Sequence, residues 1–150
     1  MLRDPPATPS GPSPLDHVGV AVRDVVEAAS AYRAVLGLEL RDVEDVLGEG
    51  VRVGFLPLAG GPAIELLEPL EGDSPVARFL ARRGPGVHHL SFRVRSCEAA
   101  IRSAEAAGIR VLPPAPRPGA HGTRVAFFHP NDTGGVLIEV CERTAAAPRS

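Results

Sequence analysis

The sequence predicts an α+β domain made of two copies of one β-α-β-β unit, with a concave face on one side of the strands and helices on the other. Three observations predict it. First, the chain repeats itself: LDHVGVAV, DVVEAASAYRAVLG, VRVGFLP and AIELLEP are matched in the same order by HHLSFRV, SCEAAIRSAEAAG, TRVAFFHP and VLIEVCE. Second, the β segments alternate with a period of two, while the α segments carry helix-boundary residues at both ends. Third, a chain of 150 residues with 44% hydrophobic content is long enough for one packed core and short for two.

The elements follow in order. A Pro-rich stretch, residues 1–14, reads as a disordered tail ahead of a single domain over 15–142. The first half spans about 15–70. Its opening strand leads to a helix that Asp24 caps, with Glu27 three residues on as a capping box and Gly37 to close it. An additional strand falls around Glu39 to Val43, ahead of VRVGFLP and AIELLEP. A linking helix over about 73–84 has Ser74 as its cap, Pro75 at the first helical position and Gly84 at its end. The second half, about 87–142, repeats the plan: a helix between Ser96 and Gly108, an additional strand around Arg110 to Leu112, then the two closing strands. Residues 143–150 read as a second tail.

Strand parity assigns the faces. Val18, Val20 and Val22 fall on one side of the first strand and pack on the helix, leaving His17, Gly19 and Ala21 toward the concavity. In the second half Leu90, Phe92 and Val94 take the helix side, and His89, Ser91 and Arg93 the other. Glu65 shares a face with Leu67, and Glu139 with Leu137 and Cys141.

The repeat superposes His17 on His89 and Glu65 on Glu139. A carboxylate in an apolar strand is costly to bury and calls for a partner or a metal. If the halves pack about a pseudo-twofold axis, two imidazoles and two carboxylates from four strands converge. That donor set suits one divalent transition metal ion per chain (Co, Mn, Ni or Zn) and is too rich in nitrogen for calcium. Four protein ligands on an octahedral ion leave two positions for a chelating substrate. The remaining candidates read more plainly. His88 has the opposite parity from His89 and is a packing or hydrogen-bonding residue; His129 ends a strand; His121 lies in a Gly-rich loop. Glu68 and the acidic run from Asp42 to Glu49 read as solvent-facing, and Cys97 and Cys141 as buried filler.

Composition excludes several classes. A formal net charge of −2 supplies no basic field for nucleic acid. No apolar run approaches the roughly 20 residues of a membrane helix, and the start lacks the apolar core of a signal peptide, so a cytoplasmic protein is expected.

The segments HVGVAV, IELLEP, DSPVARFLARRGPGVHHLSFRV, PRPGAHG and FHPNDTGGVLIEV resemble the methylmalonyl-CoA epimerase family of the vicinal oxygen chelate superfamily. The resemblance covers about residues 15–142. It implies two pseudo-twofold-related βαβββ modules forming a cupped mixed sheet with the helices outside, usually as a homodimer. It also implies His17, Glu65, His89 and Glu139 as metal ligands, an acyl-CoA substrate, and interconversion of the C2 epimers of methylmalonyl-CoA through an enolate. Some family members have Gln at the position of Glu65 and a candidate second base, Glu, at that of Val53. Here Val53 cannot serve, which points to Glu139 and Glu65 as the two bases. The alternatives are a glyoxalase I acting on a glutathione hemithioacetal and a non-catalytic binding protein on the same fold.

Overall fold

A computed structural model describes residues 12–144. Eight strands, β1 Leu15–Ala21, β2 Asp42–Val46, β3 Val51–Pro57, β4 Ala63–Pro69, β5 Gly86–Val94, β6 Val111–Pro118, β7 Arg124–Phe128 and β8 Ile138–Glu142, alternate with helices α1 Val25–Leu36, α2 Pro75–Arg83 and α3 Cys97–Ala106. One curled mixed sheet results, in the order β2-β3-β4-β1-β5-β8-β7-β6. β1 and β5 pair antiparallel at its centre, while β1–β4 and β5–β8 are parallel. The two four-stranded halves are thus related by a pseudo-twofold axis between β1 and β5.

The helix ends lie where the capping residues place them. Asp24, Ser74 and Ser96 accept hydrogen bonds from the backbone N–H groups of Glu27, Ala77 and Ala99, each such cap contributing about 1 kcal/mol. Gly37 closes α1 in the left-handed region, and Gly108 follows the α3 cap, Ala107, in the same conformation.

The apolar face of each half packs under its helix. Val20, Val22, Leu56 and Leu66 meet Val25 and Ala29 of α1; Ala126, Phe128 and Val140 meet Cys97 and Ala104 of α3. The opposite, concave face carries Ala21, Val53, Phe55 and Leu67, and α2 lays Val76 and Leu80 against it. α1 and α3 therefore sit outside the cup, and α2 covers part of its inner face.

The two additional strands lie further along than the sequence suggests. β2 begins at Asp42, because Leu38 and Leu40 pack beneath α1 instead of pairing with β3. β6 runs on through four prolines to Pro118, which an outermost strand tolerates, although its pairing with β7 breaks between Leu112 and Arg117.

Glu68 is not solvent-facing: its carboxylate accepts from the N–H of Val25 and caps α1, just as Glu142 accepts from Cys97 and caps α3. Carboxylates at both helix N-termini complement the exposed amides and the helix dipole. Arg52–Glu68 and Arg124–Glu142 repeat the same ion pair in each half.

Pro14 and Arg143 fall within the bounds read as tails but contact the sheet. The Pro14 carbonyl accepts from the N–H of Arg93, and Arg143 reaches the buried Asp16. Residues 1–11 and 145–150 of the two tail readings lie outside the described residues. Among the described residues, no helix is long and apolar enough to cross a membrane.

Candidate active site

The centre of the concave face is built where β1 and β5 cross. In their register His17 faces Ser91 and Gly19 faces His89. The parallel neighbours bring Glu65 beside Gly19 and Glu139 beside Ser91. All four residues expected to hold a metal, His17, Glu65, His89 and Glu139, are buried together here.

The side chains meet through His17. Its Nε2 lies 3.1 Å from His89 Nε2 and 3.3 Å from Glu139 Oε1, and Glu139 Oε2 lies 3.9 Å from His89 Nε2. Its Nδ1 lies 2.5 Å from Glu65 Oε2 and 2.7 Å from Asp16 Oδ2. The set therefore gathers on both nitrogens of one imidazole, with His89 and Glu139 on one side and Glu65 and Asp16 on the other.

Asp16 and His88 are the side chains that parity misplaces. Between β1 and β5 the pairs Leu15–Phe92 and His17–Ser91 leave Asp16 without an opposite residue, and Gly19–His89 and Val20–Val87 leave out His88. Each is the extra residue of a β-bulge, which re-aims a side chain that strict alternation would send to the far face. His88 consequently lines the cavity.

The electrostatics separate the two histidines. Burial works against a charge on His17, but the carboxylates of Glu65, Asp16 and Glu139 outweigh it and hold the ring well above its ordinary pKa. His89 has no such excess of carboxylates, and burial lowers it to about 3, so it is neutral with a lone pair to offer. Burial also disfavours the Glu139 carboxylate, yet the charge and hydrogen bonding of the neighbouring His17 ring help hold its pKa below the ordinary value.

These residues fit a divalent cation. Glu139 Oε1 and Ser91 Oγ lie buried without a well-formed hydrogen bond, and a buried carboxylate set between two imidazoles offers its donors to a cation. One donor atom each from His17, His89 and Glu139 lies within 4.8 Å of the others, and the same holds for Asp16, His17 and Glu65.

Around the cluster is a cavity of about 340 Å³, in the size range of small-molecule sites. Val53 stands on its wall as a buried apolar residue. The mouth is crossed by contacts between the halves that the sequence reading assigned to solvent. Arg117 of β6 pairs with Glu49 at 2.6 Å. His121 stacks on Phe55 with ring centroids 3.9 Å apart; its Nε2 lies 2.8 Å from Asp42 Oδ2, and its backbone N–H donates to Glu44. Burial pushes the Glu49 carboxyl up despite Arg117. The acidic run is thus the first half's seat for the loop of the second. Partners 68 to 79 residues away left no local signal.

The cysteines are buried and poorly suited as nucleophiles. Burial raises Cys97 to about 11 and Cys141 to about 12. A colorimetric thiol titration at pH 8 should find neither in the native protein and both of its 2 cysteines after unfolding.

A cupped pair of βα modules with a His/Glu cluster at its centre defines a class. The chain belongs to the Glyoxalase/Bleomycin resistance protein/Dioxygenase superfamily, whose family model matches residues 16–127, and within it to the methylmalonyl-CoA epimerases. It is 42% identical over 127 residues to the mitochondrial methylmalonyl-CoA epimerase of Mus musculus, covering 84% of this chain and 71% of that one. It is also 42% identical over 128 residues to the ethylmalonyl-CoA/methylmalonyl-CoA epimerase of Cereibacter sphaeroides, covering 84% and 95%. Among solved structures, a Streptomyces coelicolor methylmalonyl-CoA epimerase variant in complex with 2-nitronate-propionyl-CoA aligns with a TM-score of 0.82 at 37% identity, covering 89% and 99%. These relatives favour an isomerase over the glyoxalase I alternative and over a sequestering module.

Proposed function

We propose that this chain interconverts the C2 epimers of methylmalonyl-CoA in a divalent-metal-dependent reaction through an enolate. The observation that carries the reading is the placement of Glu65 and Glu139 at equivalent positions of β4 and β8, flanking the two imidazoles. Inverting a carbon by proton transfer requires removal of a proton from one face and return to the other, and two acid/base groups supply both. Val53 adds no carboxylate to the wall, and the other two that line it, Asp16 and Glu49, are tied to Arg93 and Arg143 and to Arg117, so the two glutamates are assigned as the bases. Held by His17, Glu65, His89 and Glu139, a Co, Mn, Ni or Zn ion would supply Lewis-acid stabilisation of the negative charge that develops on the thioester oxygen. The volume of the cavity suits the acyl head of the thioester. The enzyme is proposed to be a cytoplasmic homodimer, a state that sedimentation equilibrium would test.

The test is proton NMR in deuterated water with methylmalonyl-CoA and added Co(II). Loss of the C2 proton signal well above a no-enzyme control, abolished by chelation, is the expected result. Tight metal binding with no exchange would overturn the epimerase reading.

A further inference from the structure

The two bulged residues occupy equivalent places in the repeat. Asp16 immediately precedes His17, and His88 immediately precedes His89. Each touches the nitrogen of its neighbour that points away from the other histidine. Asp16 Oδ2 lies 2.7 Å from His17 Nδ1, and His88 Nδ1 lies 3.0 Å from His89 Nδ1, while the two Nε2 atoms face each other. Both partners are themselves fixed. Asp16, 1% exposed, receives Arg93 and Arg143 on its other oxygen, and His88 packs edge-on against Phe79 with centroids 5.2 Å apart.

An imidazole that gives one nitrogen to a cation carries its proton on the other, and that proton needs an acceptor to set the ring's orientation. We infer that Asp16 and His88 are positioning residues for the two histidine ligands, each accepting the Nδ1 proton of the residue that follows it and turning Nε2 inward. This rests on the metal reading above. His88, to accept, carries its own proton on Nε2. The two supports differ in kind. A carboxylate behind His17 makes that ring the more basic donor, whereas a neutral imidazole behind His89 makes it the weaker one. Glu65 Oε2 lies 2.5 Å from His17 Nδ1 and so shares that nitrogen with Asp16, but Asp16 is pinned from behind by two guanidinium groups.

The test is a Co(II) titration of the full chain against a competing chelator. It compares the parent, His88→Phe, which keeps a ring against Phe79 but offers no acceptor, and His88→Gln, which keeps an acceptor. His88→Phe should bind Co(II) about 10- to 100-fold more weakly. His88→Gln should stay within about threefold of the parent, since it retains the acceptor on which the loss depends. In the Co(II)-loaded proteins, the exchangeable Nδ1 proton resonance of one ligand ring should move in His88→Phe while the other stays. Asp16→Asn should weaken Co(II) over the same range and move the resonance of the other ring. Parent-like affinity and resonances in both His88→Phe and Asp16→Asn would overturn the inference, as would equal losses in His88→Phe and His88→Gln. A parent that binds none of Co(II), Mn(II), Ni(II) or Zn(II) would overturn the metal reading and this inference with it.

Discussion

Glu139→Gln should lower C2 proton exchange on methylmalonyl-CoA by about 10²- to 10⁴-fold, the range expected for losing a positioned acid/base group. Glutamine matches the shape of the buried side chain, so the β8 strand and the Phe127 and Ser91 contacts around it are preserved. What it removes is the ability to take a proton, along with the carboxylate charge 3.3 Å from His17 Nε2. Because Glu139 is proposed to serve as both ligand and base, metal content must be measured in the same samples. A variant that holds stoichiometric Co(II) and still loses exchange isolates the proton-transfer role. The partner experiment is Glu65→Gln. Full turnover there, alongside an inactive Glu139→Gln, would remove Glu65 as the second base.

Gly19→Ala should expel His89 from its seat and weaken metal binding by about 100-fold, the upper end of what a displaced support costs. An added Cβ would stand 2.3 Å from His89 Cε1, 2.6 Å from Nδ1 and 2.7 Å from Nε2, closer than any real contact allows. The ring cannot retreat freely, with Phe127 edge-on at 5.5 Å and His88 bonded at Nδ1. Overpacking of this kind costs about 1–3 kcal/mol of stability, which a thermal melt would detect. Ser91→Ala is the control. Ser91 occupies the equivalent position opposite His17 and already carries a Cβ, and its hydroxyl has no hydrogen-bond partner, so that variant should melt close to the parent.

Much of this site was legible because the chain says the same thing twice. His17 and His89, Glu65 and Glu139 could be assigned to one face from a period of two and one alignment of the halves. The same period set His88 apart from the site and gave Asp16 no place in it, since a bulge shifts parity by one residue. A signal was nevertheless present: both residues stand directly before the histidines that the repeat superposes. Glu68 and Glu49 were misplaced for another reason, and Asp42 and Glu44, though largely solvent-facing as read, take partners that the sequence did not show. Their partners, Val25, Arg117 and His121, are brought to them by tertiary structure, and charged residues bounded by turns look alike whether they face water or a distant guanidinium. The outer strands slid for lack of pattern, β6 being half proline and β2 mostly acidic.

That composition of the outer strands governs how the molecule meets copies of itself. A sheet that is open at both ends offers two rows of unpaired amides and carbonyls to any passing strand, and chains polymerise by that route. Here one end is β2, with Asp42, Glu44 and Asp45 along its length, and the other is β6, whose prolines have no amide hydrogen to give. The loop after β6 also lies across β2, tied to Asp42 and Glu44 by His121. Strand addition is thereby disfavoured at both ends, and self-association is left to side-chain surfaces.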